Sequence, residues 1–256
     1  MLRTLEVYPQ QKIFWVAMLG LWLLTLTITP IAIWIEGEHT FPTFATLGVL
    51  AQAAATLTAL SWSWSVPRLF TMSLIVSGLT WLAEFMGSST GFPFGTYEYT
   101  DVLQPQLAHV PLIIPFAWLM MLPAAWAVTR AILQHTRFTD NWLVFAALSG
   151  LVFTAWDLYL DPQMVAKDLW RWENPNGYFG IPWMNFFGWW LVASLITLII
   201  RPTQLPLRPL MTIYGLTWIF QAVGLGLFWG QPGPALCGFA SMGSWIGLAW
   251  KQSSGR

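Results

Sequence analysis

The chain is predicted to fold as an all-α, polytopic bundle of membrane helices, and three observations predict it. Of 256 residues, 56% are hydrophobic and only 9% charged, against about 25% charged in an ordinary soluble domain. Eight apolar runs approach or exceed the ~20 residues that cross a bilayer core. Lysine and arginine are concentrated at the termini and in alternate connections between those runs, nine of eleven in all, as expected when cytoplasmic loops hold the cations.

The runs cover residues 13–35, 44–66, 69–87, 111–133, 141–160, 183–200, 210–229 and 233–250, each bounded by polar or turn-forming residues. Eight transmembrane helices is the working count. Seven is the alternative, because only Gly230, Gln231 and Pro232 part the last two runs. The first run exceeds the roughly 7 to 15 residue core of a cleaved signal, so it is read as a retained helix. Pro30 and Pro123 lie inside runs and should kink their helices. No repeat or linker divides the chain, so residues 1–256 are read as a single integral membrane domain.

With eight spans, Arg3, Lys12, Arg68, Arg130, Arg137, Arg201, Arg208, Lys251 and Arg256 fall at the termini and the even connections. Only Lys167 and Arg171 fall opposite. Both termini are therefore expected in the cytoplasm, with the protein in the cell membrane. Glu36, Glu38, Glu98, Asp101, Asp161, Asp168 and Glu173 gather in or beside the non-cytoplasmic connections.

Eleven basic and eleven acidic residues cancel, leaving no polycationic surface to bind nucleic acid by counterion release. The single Cys237 excludes an internal disulfide or a cysteine metal site, and reads as a small buried hydrophobe. His39, His109 and His135 are dispersed. No phosphate loop, nucleophile elbow or dinucleotide fingerprint occurs, so no cofactor or metal is expected.

The residues left to explain are carboxylates at membrane depth. Glu84 lies about one turn from the outer end of the third run and Asp157 at similar depth in the fifth. A carboxyl so placed finds a partner or takes up a proton. Thr80 and Trp81 are one turn back from Glu84, which suggests a hydroxyl and an aromatic wall beside it. A helix-packing role for Glu84 is the plain alternative. Asp157 and Asp161 are i, i+4 and share a helical face. Two carboxyls that close cannot both ionise cheaply, which is how an acid and a base arise from one residue type. Asp161 also reads as a solvated helix end before Pro162, but Asp157 does not.

Two decorated connections sit above these carboxyls. The first, residues 87–99, is dense in glycine, proline and aromatics and carries Tyr97 and Tyr99. The second holds Trp170, Trp172 and Tyr178, and leads to Asn185 and Trp189 at i, i+4 in the sixth run. An interfacial aromatic belt accounts for part of this enrichment. A pocket there would be polar at one end, aromatic-walled and open to lipid.

Several ordered blocks within residues 82–190 resemble one membrane family. They are Glu84-Phe85-Met86-Gly87, Thr90 through Tyr99, Val110-Pro111 with Pro115 and Trp118, Trp156-Asp157-Leu158 with Asp161-Pro162, and Gly177 through Pro182 with Asn185 through Trp189. The family is that of the CruF-type carotenoid hydratases, which includes bisanhydrobacterioruberin hydratase. The resemblance implies cofactor-independent addition of water across the terminal 1,2 double bond of an acyclic carotenoid end group, giving a tertiary alcohol. Lycopene, γ-carotene and bisanhydrobacterioruberin are the substrate types it implies, met in the lipid bilayer with water as second reactant.

Hydration in that sense needs an acid that keeps its proton, aromatic faces for a tertiary cation and a base that orients water. Glu84, Asp157 and Asp161 are the candidates for acid and base, with either Glu84 or Asp157 the acid. Trp81, Tyr97, Tyr99, Trp118 and Trp156 are candidates to flank the cation, Asn185 to hold the water and Trp189 to line the pocket. Three rival readings remain: a magnesium-dependent prenyltransferase using Asp157 and Asp161, though a second Asp-rich motif is missing; an acid-catalysed end-group cyclase; and a non-enzymatic lipid or solute carrier.

Overall fold

The structure, a computed structural model, describes residues 9–254; Arg3 and Arg256, counted above among the cations, lie outside the described residues. It is a helical bundle of eight α-helices among the described residues: α1 (Pro9–Glu36), α2 (Phe41–Leu60), α3 (Val66–Thr90), α4 (Ile114–Leu133), α5 (Trp142–Ala166), α6 (Trp183–Ile200), α7 (Leu207–Val223) and α8 (Pro232–Ser254). Four short strands occupy the connections: β1 (Tyr97–Tyr99), β2 (Gln106–Leu107), β3 (Val110–Pro111) and β4 (Trp170–Trp172). Among the described residues, seven helices are long and apolar enough to cross a membrane. α8, richer in glycine and serine, has 23 residues, or about 34 Å of helix at 1.5 Å per residue.

α4 forms the centre, packed on α2, α3, α5, α7 and α8. Its alanines, Ala117, Ala124, Ala125, Ala127 and Ala131, are all buried; small side chains let neighbouring backbones approach where no hydrophobic force drives helices together in lipid. α1, at the periphery, buries only Trp22 and presents Ile13, Phe14, Leu24 and Ile31 outward, which is favourable where the solvent is hydrocarbon. Cys237 is also exposed. The expectation that it would be buried fails because α8 is an outer helix, and a small apolar group needs no protein cover against acyl chains.

The connections sort to two ends of the bundle. At one, Lys167 Nζ meets Glu38 Oε2 at 2.5 Å, β1 pairs with β4 and Gln231 Nε2 donates to the Pro162 carbonyl at 3.0 Å. The α1–α2, α3–α4, α5–α6 and α7–α8 connections are thus together. At the other end Gln11 Nε2 donates to the Ser61 carbonyl and Arg68 to the Thr203 carbonyl. α8 therefore runs back toward the end where α1 begins.

Two boundaries differ from expectation in ways that matter for the site. α5 continues through Pro162 to Ala166, so Asp161 is 2% exposed instead of capping a solvated end. Asn141 starts that helix with its side chain accepting from the Leu143 and Val144 amides. α7 passes into a π-helical turn at Gly224–Phe228, within the run read as uniform helix.

Candidate active site

α3 and α5 bring three carboxyls, and α6 an asparagine, under the paired strands. Tyr97-Glu98-Tyr99 faces Trp172-Arg171-Trp170 in antiparallel register. Side chains alternate across a strand, so Tyr97, Tyr99, Trp170 and Trp172 point inward while Glu98 and Arg171 face water. Gly91 ends α3 in the left-handed region, φ 80°, and turns the chain back over the helix it has left.

Glu84 is 4% exposed. Its Oε2 accepts from the Tyr97 hydroxyl at 2.5 Å and the Tyr99 hydroxyl at 2.8 Å. The Trp118 indole N–H lies close by without a hydrogen bond of normal geometry. Across the cavity Asn185 Nδ2 donates to Asp157 Oδ2 at 2.9 Å and also to Asp161 Oδ2. The two aspartates interact directly with each other, and Asp161 also with Trp170. Asp157 Oδ1 and the indole nitrogens of Trp118, Trp156 and Trp172 are buried without a hydrogen-bond partner among the described residues. Unpaired polar atoms this dense are rare in interiors. No cation bridges Glu84, Asp157 or Asp161 among the described residues.

The space they enclose is small, about 20 Å³, enough for one water molecule. Glu84, Asp161, Asn185, Tyr97, Tyr99, Trp118 and Trp189 line it. Trp189 stacks on Trp118 at 4.9 Å between centroids and on Phe153 at 5.4 Å, with Trp156 edge-on at 5.9 Å.

Asp157 sits directly behind Asp161, wholly buried and off the cavity wall. Trp156 turns its other face to a second space, and Trp81 stands apart. Trp81 stacks on Phe85 at 5.4 Å and donates to the Leu107 carbonyl at 3.4 Å, lying off the buried stripe of α3 that Val76, Thr80 and Glu84 form at four-residue spacing. Phe94 and Leu160 also line the cavity and were not singled out from sequence, and Trp170 and Trp172, noted there only as part of a decorated loop, line it too. The Tyr-Glu-Tyr and Trp-Arg-Trp alternations were the available signal for the two tryptophans.

Burial first, and then the neighbouring Glu84 carboxyl, push the Tyr97 and Tyr99 phenols well above their ordinary value near 10. Both stay neutral donors in the fold, whereas unfolded phenols ionise from about pH 10. The stability they contribute is complete below that pH and is lost as pH rises toward their raised folded values. The unfolding midpoint in detergent should therefore drop as pH passes about 10, less steeply in the Tyr97→Phe/Tyr99→Phe double variant. Equal slopes in both proteins would contradict this.

The fold and site define an integral membrane protein with an acidic, aromatic-walled centre close to one end of its bundle. The chain belongs to the carotenoid biosynthesis protein family, whose family model matches residues 41–243. It is similar to the bisanhydrobacterioruberin hydratase of Haloarcula japonica, 30% identical over 117 residues. That match covers 45% of this chain and 39% of the relative, so well under two thirds of the relative's length is spanned. No solved structure matches the chain.

Proposed function

We propose that the protein is a carotenoid hydratase, adding water to the terminal double bond of an acyclic end group without a cofactor. The observation that carries this reading is Glu84 and Asp161 facing one another across a one-water cavity walled by aromatic rings, with Asp157 behind Asp161 and no ion-pair partner for any of the three among the described residues. The similarity to a named hydratase supports it.

In this reading the Asp157–Asp161 pair shares one proton, and Asp161, the member on the cavity wall, delivers it to the less substituted alkene carbon. The C=C π pair forms the new C–H bond, leaving a tertiary cation beside the faces of Trp118, Trp189, Tyr97 and Tyr99. Cation–π attraction at such distances contributes on the order of 1–2 kcal/mol per ring when water is excluded. Glu84, whose Oε2 accepts from two phenol donors, serves as the carboxylate in this cycle. It takes a proton from the water as the oxygen lone pair closes on the cation, and returning that proton to the aspartates completes the cycle. The balance is one alkene plus one water giving one tertiary alcohol.

Asn185 places an N–H between the two aspartates, where a magnesium ion shared by them would have to sit. This favours proton chemistry over the prenyltransferase reading. Pigments from a carotenoid-producing host that expresses the chain should gain the mass of one water per reacted end, with or without chelator in membrane assays. An isomer of unchanged mass would indicate cyclisation, and an unmodified pigment a carrier.

We place the site at the non-cytoplasmic end of the bundle, because nine of eleven cations belong to the other end and the termini. Reporter fusions at Ser254 and in the 88–106 loop should report opposite sides; the same side for both would overturn the eight-crossing arrangement.

A further inference from the structure

A cavity with space for one water cannot also hold an isoprenoid end group, so the hydrocarbon must wait elsewhere and something must move to admit it. A second space lies on the far side of α5. It measures about 280 Å³, close to the lower end of the roughly 300–1,000 Å³ typical of small-molecule sites. α1 contributes Trp22 and Leu26, α2 contributes Ala45 and Val49, and α5 and α7 complete the wall. Leu160 is the one residue that lines both spaces. Trp156 lines the larger space and meets Trp189 of the smaller one edge-on.

Three further features suit a ligand chamber better than a packing fault. The π-helical turn Gly224–Phe228 forms part of its wall, and such turns recur at functional sites. Gln163, one turn beyond Leu160, is buried on the same wall and makes no side-chain hydrogen bond among the described residues, so a polar group is left facing the contents. α1 packs chiefly on α2 and makes no comparable contact with α7, which leaves this side accessible from the bilayer.

We propose that this chamber seats the isoprenoid chain of the substrate next to its reacting end, and that Leu160 is the movable partition through which the end group reaches the carboxyls. The inference rests on the hydratase reading. The chamber holds a segment of the polyene while the remainder extends into lipid. Leu160 is a positioning residue, and the chamber's α2 wall sets how strongly a long chain is held.

The test compares a full-length acyclic carotenoid with a short acyclic terpene hydrocarbon carrying the same end group, both presented to purified protein in lipid nanodiscs. Val49→Trp fills the chamber and touches no carboxyl. It should lower kcat/KM for the carotenoid at least tenfold, chiefly through KM, and lower that for the short hydrocarbon several-fold less, because a short chain occupies less of the chamber. Because Val49→Trp could fold poorly, Ala45→Cys in a Cys237→Ser background, alkylated with a bulky maleimide after purification, provides the same block in folded protein. Induced circular dichroism of the bound polyene gives a readout independent of turnover; it should persist in Asp161→Asn and vanish in both blocked proteins. Unchanged carotenoid kinetics and dichroism in the blocked proteins would overturn the chamber. Parent protein that binds the polyene in the chamber but hydrates neither substrate would refute the hydratase reading and leave the chamber standing.

Discussion

Asp161→Asn is expected to lower carotenoid hydration by about 10³-fold with the protein still inserted and folded. A positioned general acid contributes roughly 10²–10⁴ in rate, and asparagine keeps the size of aspartate without a transferable proton. Asp157→Asn should fall almost as far although it never meets the alkene, because Asp161 loses the partner that shares its proton. Glu84→Gln removes the proton acceptor and mismatches the two phenol donors that meet at Oε2. Residues that act as a unit are strongly non-additive, so Asp161→Asn combined with Glu84→Gln should be little worse than either alone. The measurement is initial rate of alcohol formation per mole of monodisperse protein. Full activity in Asp161→Asn would remove that residue from proton delivery, and multiplicative losses in the double variant would mean that the two sides act independently.

Gly188→Ala should be the most disruptive single methyl group in the site. A Cβ there would stand 2.6 Å from the Phe94 ring and 2.8 Å from the Pro93 carbonyl oxygen, and backbone cannot swing aside as a side-chain tip can. Gly87 holds the same ring from α3, with its Cβ position 2.5 Å from Phe94 and 3.2 Å from the Tyr97 hydroxyl. Overpacking of this kind costs about 1–3 kcal/mol. Since Phe94 lines the cavity, activity should fall alongside the thermal midpoint in detergent. Gly78→Ala is the control: nothing lies within 4 Å of its Cβ position, and alanine exceeds glycine in helix propensity by about 1 kcal/mol. It should be neutral or slightly stabilising. Equal behaviour of the two variants would show that Phe94 is not clamped between α3 and α6.

The helices were legible because each depends on a local run of apolar residues, and the depth of Glu84 and Asp157 could be counted along those runs. Asn185 could be nominated from its place at the head of a helix, but its bridging of two aspartates depends on how α6 leans on α5. Pro162 misled, since proline read as a terminator where neighbouring helices tolerate it. Trp81 misled through a shared-face argument too coarse to separate residues three apart. The space behind Leu160 left no trace in any single segment, because its walls come from helices as distant in sequence as α1 and α7.

The paired strands over the carboxyls have a consequence for what the reaction can yield. With aromatic rings closing the aqueous side, solvent ceases to be a bulk medium and becomes a counted reagent. In the proposed hydration, a cation formed there would meet a single oxygen from a single direction, before it could lose a proton or be captured by another double bond of the same chain. Selectivity in the alcohol would then be a matter of how few molecules are admitted.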